Sequence, residues 1–172
     1  MGVLVHATGF LAMALVVAGY ARTHDGTLRW VTFAGLAVFL VHMLLLGAWS
    51  TAGVMGLALF MLWSGYTGRP GLAKLGWGVN VALLPALLAL SAFGPAKPLD
   101  ALPVLAGIVL NTGFLFFSGH RLTAALVVGE ALTVLNAFAV GSPYAAVANG
   151  VALAALAWRT ACLLRAPVPS AP

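Results

Sequence analysis

The sequence has very few charged residues. Only 6% of its 172 residues are charged, and the acids are just three: Asp25, Asp100 and Glu130. An ordinary soluble domain has about a quarter of its residues charged. Because 63% of the residues are hydrophobic, a soluble fold of this length would have too few polar groups to cover its surface. The composition therefore excludes a soluble globular domain and indicates that lipid is the solvent.

The chain also lacks the residues and motifs of most enzymes. Its one cysteine, Cys162, permits neither an intrachain disulfide nor a cysteine-based metal site. The four histidines, His6, His24, His42 and His120, are far apart in sequence, and neither an HExxH motif nor a serine nucleophile elbow occurs. We therefore expect a protein that is not an enzyme and that has no cofactor and no metal.

Long apolar runs dominate what is present. They form seven segments separated by short stretches rich in Gly, Pro or polar residues: 3–20, 30–48, 51–66, 75–93, 102–117, 122–140 and 144–158. Four of them are long enough, at 1.5 Å per residue, to span nearly all of a ~30 Å hydrocarbon core. The sequence predicts an all-α polytopic transmembrane bundle of about seven helices, although the three shorter segments leave six or eight crossings open.

The basic residues are distributed unevenly among the turns. With seven crossings, one side of the membrane holds seven of the eight: Arg22, Arg29, Arg69, Lys74, Arg121, Arg159 and Arg165. The other side holds only Lys97. By the positive-inside rule, the first side is cytoplasmic, so the N-terminus lies outside and the C-terminus inside. The basic residues are scattered singly and form no patch, which excludes nucleic acid as a partner.

An internal repeat is also predicted. Residues 35–42 align with residues 129–136, and Gly9 aligns with Gly107 if the second copy has a loop shorter by four residues. This gives one transmembrane domain, 1–166, with a 3+1+3 arrangement: a triple-helix unit over 1–67, a linker helix over 72–94 and a second unit over 101–160. An odd linker gives a parallel repeat about an axis along the membrane normal. The alternative is that apolar stretches align by composition alone. The Pro-rich tail 167–172 is predicted to be disordered.

Polar residues inside apolar segments are costly in lipid and need a reason. Glu130 lies near the middle of its segment, with Thr133 and Asn136 following along one side of the helix. In the repeat, His42 corresponds to Asn136, so the two are expected to face each other at matched depth. We expect Glu130 either to accept a hydrogen bond from His42 or to carry a proton. These four residues are candidates for lining a substrate pathway.

Three further amides complete the list of pathway candidates. Asn80, Asn111 and Asn149 lie in the fourth, fifth and seventh segments. Together with the residues around Glu130 they could line a small polar cavity between the two triple-helix units. Asn, Thr and Gly also commonly hold membrane helices together, so helix packing is the alternative role for each.

Three short stretches carry a resemblance to a known family. At 41–47, 102–107 and 134–142 the chain resembles the YgjV-type bacterial inner-membrane protein family, over roughly residues 5 to 165. The resemblance implies a helical bundle of the inner membrane and no established substrate. The architecture is also similar to the SWEET and PQ-loop transporters. However, no Pro-Gln pair occurs, and Met55 stands at the depth that matches Asn149, which argues against sugar transport.

The sequence therefore leaves two functions open. The first is a multi-pass protein of the bacterial inner (plasma) membrane that transports a small polar solute through a cavity between its two units. The second is a membrane scaffold or assembly protein whose polar residues serve only helix packing. The bilayer is the expected partner in both cases, and a homo-oligomer is compatible with either.

Overall fold

The chain folds as a bundle of helices. Its computed structural model describes residues 2–47, 49–93, 102–139 and 143–165. Within these ranges there are seven α-helices and no strand: α1 (Gly2–Tyr20), α2 (Asp25–Leu45), α3 (Trp49–Tyr66), α4 (Pro70–Phe93), α5 (Leu102–Phe116), α6 (Gly119–Ala139) and α7 (Pro143–Arg165). The prediction of an all-α bundle of seven helices is confirmed. Residues 94–101, which include Lys97, and the tail 167–172 lie outside the described residues.

The outside of the bundle is apolar. Phe10, Phe138 and Leu164 are about three-quarters exposed, at 78%, 69% and 73%. In the part of the chain that the structure describes, four helices, α1, α2, α6 and α7, are long and apolar enough to cross a membrane, and α3 and α5 contain shorter apolar stretches. Such a surface is stable only in contact with lipid tails. The chain is therefore an integral membrane protein.

Each helix packs against its neighbour in the chain, and α7 returns to pack against α1. The most extensive contacts are between α1 and α2 and between α5 and α6, while α3 also contacts α5. The buried core draws on six of the helices: Tyr20, Leu28, Leu62, Phe114, Leu122, Leu126, Ala152 and Leu156. Because α7 packs against α1, residues that are far apart in the sequence become neighbours.

Several helices extend beyond their apolar segments. α2 begins at Asp25, where Nδ1 of His24 caps the helix by accepting from the N–H of Thr27 over 3.4 Å. α7 continues past Trp158 to Arg165. Hydropathy alone begins α2 too late, at residue 30, and ends α7 too early, at residue 158, because Asp25 and Arg159 find partners inside the protein. α2 ends at Leu45, and Gly47, two residues further on, has φ 71°, a left-handed conformation that glycine adopts without strain.

The packing of α2 and α6 supports the predicted repeat. Both helices have 21 residues, and their first residues are 94 positions apart. A Cβ at Gly35 would lie 2.9 Å from the backbone nitrogen of Val16 and 3.1 Å from the carbonyl oxygen of Ala12 in α1. A Cβ at Gly129 would lie 3.4 Å from the nitrogen of Leu110 in α5. Leu110 aligns with Ala12 in the repeat. The repeat itself stays a prediction.

Candidate functional site

Glu130 lies in the middle of α6 with only 6% of its surface exposed. Its Oε1 accepts a hydrogen bond of 2.7 Å from the phenol of Tyr20, the last residue of α1, which is 2% exposed. Its Oε2 lies 3.0 Å from the hydroxyl of Thr133. Both carboxyl oxygens therefore have a hydroxyl partner inside the bundle, which reduces the cost of burying them.

The Thr133 hydroxyl gives the carboxyl group two ways to bond. It has a single hydrogen, and the carbonyl oxygen of Glu130 lies closer to it, at 2.7 Å, than Oε2 does. When that hydrogen goes to the carbonyl, the hydroxyl oxygen is free to accept a hydrogen from Oε2. The geometry therefore accommodates a proton on the Glu130 carboxyl without any rearrangement.

His42 has other partners than the ones expected. Its Nδ1 lies 3.0 Å from the carbonyl oxygen of Val5 and 3.2 Å from the hydroxyl of Thr8, both in α1. The ring fits against Gly9, where a Cβ would come within 2.9 Å of His42 Cε1. Because Gly9 has no side chain, the imidazole of His42 has room to pack directly against α1. Among the described residues the expected hydrogen bond to Glu130 is not formed.

The asparagines also separate from Glu130. Asn80 and Asn111 are buried, at 2% and 5% exposure, next to the contact in which Nε1 of Trp77 in α4 donates to the Thr112 hydroxyl in α5 over 2.9 Å. Oδ1 of Asn80 has no hydrogen-bond partner within the described part of the chain. Asn136 and Asn149 are half-buried. Of the seven candidates, only Glu130 and Thr133 are brought together by hydrogen bonds between the described residues.

A second polar cluster is centred on Arg159, a residue that the apolar pattern predicts to lie outside the membrane. Arg159 is completely buried, and Nε donates to the Thr123 hydroxyl over 2.8 Å. Nη1 donates to the carbonyl oxygen of Arg22, and Nη2 to Oδ1 of Asp25. Oδ2 of Asp25 accepts from the N–H of Gly119 over 2.6 Å. One signal pointed to this cluster: Asp25 is one of only three acids and needs a cation nearby.

These contacts define what we call the charged end of the bundle, formed by the turns 21–24, 67–69 and 117–118 and the last part of α7. Nη2 of Arg29 in α2 donates to the carbonyl oxygen of Phe117, just after α5. The rings of Trp30 and Tyr66 pack with centroids 5.2 Å apart, which brings the end of α3 to the same end. The turns predicted to share one side of the membrane therefore do lie together.

The two clusters are held by the same two elements. Tyr20, bonded to Glu130, is two residues before Arg22, whose carbonyl oxygen binds Arg159. Thr123 and Glu130 are both buried on α6, two helical turns or about 10 Å apart along its axis. A movement of the end of α1 would therefore act on both clusters.

Among the described residues, neither a surface groove nor a group of metal ligands involves Glu130. A groove between α5 and α6 lies on the outside of the bundle, away from Glu130; it is lined by Val109, Phe117, Arg121, Ala124, Ala125 and Val128. In the same described ranges, no three His, Cys, Asp or Glu side chains are grouped so as to hold a metal ion.

Comparison with known proteins agrees with the membrane fold. The model of the family Imp-YgjV, described as a bacterial inner membrane protein, matches residues 3–164. No curated protein and no solved structure matches the chain. The matched residues include parts of all seven helices. The exposed apolar side chains of these helices suit a lipid environment. The chain therefore belongs to the Imp-YgjV family of bacterial inner membrane proteins.

Proposed function

We propose that this protein transports a small polar solute across the bacterial inner membrane, with Glu130 at the centre of the pathway. The observation that carries the proposal is the hydrogen bond between Tyr20 and Glu130. Tyr20 belongs to the first unit, α1–α3, and Glu130 to the second, α5–α7. In transporters built from repeats, substrate and coupling-ion sites lie near the bilayer midplane between the repeats.

The chemistry of the cluster suits reversible proton binding. A carboxyl group in the middle of a membrane helix is an expensive way to hold helices together, so its usual reason is function. The hydroxyls of Tyr20 and Thr133 hold both oxygens of Glu130 in either protonation state. Tyr20 comes from the other unit, so a relative movement of the units would exchange its hydroxyl for a solute group.

Uptake into proteoliposomes tests the proposal. The purified chain is screened with radiolabelled polar solutes, with and without a proton gradient, alongside Glu130→Gln, Tyr20→Phe and Tyr66→Phe. We expect Glu130→Gln and Tyr20→Phe to lose most of the uptake of any solute that the parent transports. Tyr66→Phe is the matched control, since its hydroxyl lacks a hydrogen-bond partner among the described residues. Unchanged uptake in Glu130→Gln, or no uptake by the parent, would count against transport.

A scaffold is the second candidate, and one observation favours it. One polar side chain predicted to join the site is instead used in a separate helix contact, because His42 binds α1. Such contacts are typical of membrane helix packing. A scaffold predicts that Glu130→Gln lowers thermal stability or self-association and that no solute flux depends on Glu130.

A further inference from the structure

We propose that Asp25 and Arg159 form a gate that closes the Glu130 site from the charged end of the bundle. This inference rests on the proposed transport function and assigns the residues that control access to its site. Asp25 is the first residue of α2 in the first unit, whereas Arg159 lies in α7 of the second. Their ion pair therefore joins the two units at one end.

The Asp25 carboxylate makes two of the hydrogen bonds that join the units at this end. Oδ1 of Asp25 accepts from Arg159, and Oδ2 accepts from the N–H of Gly119, at the start of α6. The Arg159 side chain has 0% of its surface exposed, and the Asp25 side chain has 25%. Solvent can therefore reach this ion pair only at the Asp25 side chain, because the Arg159 side chain is completely buried. Loss of the Asp25 charge would weaken the bonds that Arg159 of α7 and Gly119 of α6 make to α2, while the bond from Arg29 to the Phe117 carbonyl oxygen stays.

The gate is linked to Glu130 through the end of α1. Arg159 also binds the carbonyl oxygen of Arg22, two residues after Tyr20. When Arg159 leaves Asp25 and Arg22, the end of α1 loses one of its two hydrogen bonds to the second unit, and the other, from Tyr20 to Glu130, is then more easily broken. Leu122 and Leu126, both at 0% exposure, lie on α6 between the charged end and Glu130. With the gate closed, as in this structure, that path is blocked.

The Arg159 cluster contains its own control. The bond from Nε of Arg159 to Thr123 joins α7 to α6 and so lies within the second unit. Parting of the units leaves it intact. If the cluster only stabilised the fold, weakening either bond would have the same kind of effect. If it is a gate, only the Asp25 contact controls access.

Thiol labelling of a buried reporter tests the gate without any solute. In a Cys162→Ser background, Leu126→Cys is reacted with a membrane-impermeant maleimide in inside-out and right-side-out vesicles, and Arg69→Cys identifies the charged side. We expect the reporter to be protected in the parent. Asp25→Asn should raise its labelling rate about tenfold or more from the charged side only, a typical coupling between two sites. Thr123→Val should leave the rate unchanged.

Each outcome decides the proposal. An equal increase in Thr123→Val, an increase from both sides, or no increase in Asp25→Asn overturns the gate. If Asp25→Asn does not fold, Arg159→Lys replaces it, because lysine keeps the charge but not the forked geometry that reaches three acceptors; no faster labelling in that variant also overturns the gate. A parent that takes up no solute counts against transport, whereas the labelling result separately reports whether the charged end opens.

Discussion

The backbone N–H of Gly119 donates to Oδ2 of Asp25 over 2.6 Å, and each of these residues is the first of its helix. They are 94 positions apart in sequence, which is the spacing of the predicted repeat. In a parallel repeat, the starts of equivalent helices lie at the same end of the bundle on opposite sides of the axis. The Asp25–Gly119 contact is compatible with such an axis, and the repeat stays a prediction.

Gly35→Ala should destabilise the protein. The added methyl group would lie within 3.1 Å of both a backbone nitrogen and a carbonyl oxygen of α1, so the helices would have to separate. We expect a loss of about 1–3 kcal/mol, as for other overpacked cores, seen as a lower midpoint of thermal unfolding in detergent.

Gly78→Ala is the control for this change, since a Cβ there meets nothing within 4 Å. It should leave the midpoint unchanged or raise it slightly, because alanine favours helix over glycine. Equal midpoints for Gly35→Ala and Gly78→Ala would contradict the close approach of α1 and α2.

Tyr20→Phe should cost about 1–3 kcal/mol of unfolding free energy, because it removes the hydroxyl donor to a buried carboxyl oxygen. Tyr66→Phe removes a buried hydroxyl that has no hydrogen-bond partner among the described residues, so it should be neutral or stabilising. The two variants differ from the parent by the same atom, and chemical unfolding in mild detergent compares them directly. A larger loss of unfolding free energy in Tyr66→Phe than in Tyr20→Phe would contradict a stabilising hydrogen bond between Tyr20 and Glu130.

The sequence was sufficient for what hydropathy and helix geometry determine. The seven helices follow from the apolar runs, and the proximity of Glu130 and Thr133 follows from their three-residue spacing on one helix. The Tyr20–Glu130 bond spans 110 residues and the Asp25–Arg159 pair 134. Such contacts depend on which helices become neighbours, and no local pattern specifies that. The hydrogen bond between His42 and Glu130, one of two alternatives that the sequence offers, is not formed, since the His42 ring packs against Gly9 of α1.

His42→Phe separates the predicted site from the observed one. His42 bonds to Thr8 and Val5 in α1, so its loss should lower stability by about 1 kcal/mol and leave uptake of any transported solute unchanged. The measurement pairs thermal unfolding with proteoliposome uptake, using Glu130→Gln as the comparison. A fall in uptake as large as that of Glu130→Gln would place His42 in the pathway, as the sequence pattern had indicated.

Arg69 and Arg121 should face the cytoplasm together. Both are exposed residues at the charged end, and the excess of basic residues there predicts that it is cytoplasmic. In a Cys162→Ser background, Arg69→Cys and Arg121→Cys should each react with an impermeant maleimide in inside-out vesicles and not in intact cells. Labelling of the two from opposite sides would contradict the bundle, and labelling of both from outside would reverse the predicted orientation.

The buried Arg159 has a consequence for how the protein is made. During synthesis Asp25 emerges from the ribosome early, and the guanidinium that satisfies it arrives only with the final helix, 134 residues later. Until then the nascent chain holds an acid at the membrane without its cation. A translation product truncated before residue 159 would lack the Asp25–Arg159 ion pair, and we expect membrane proteases to remove it faster than the 172-residue chain.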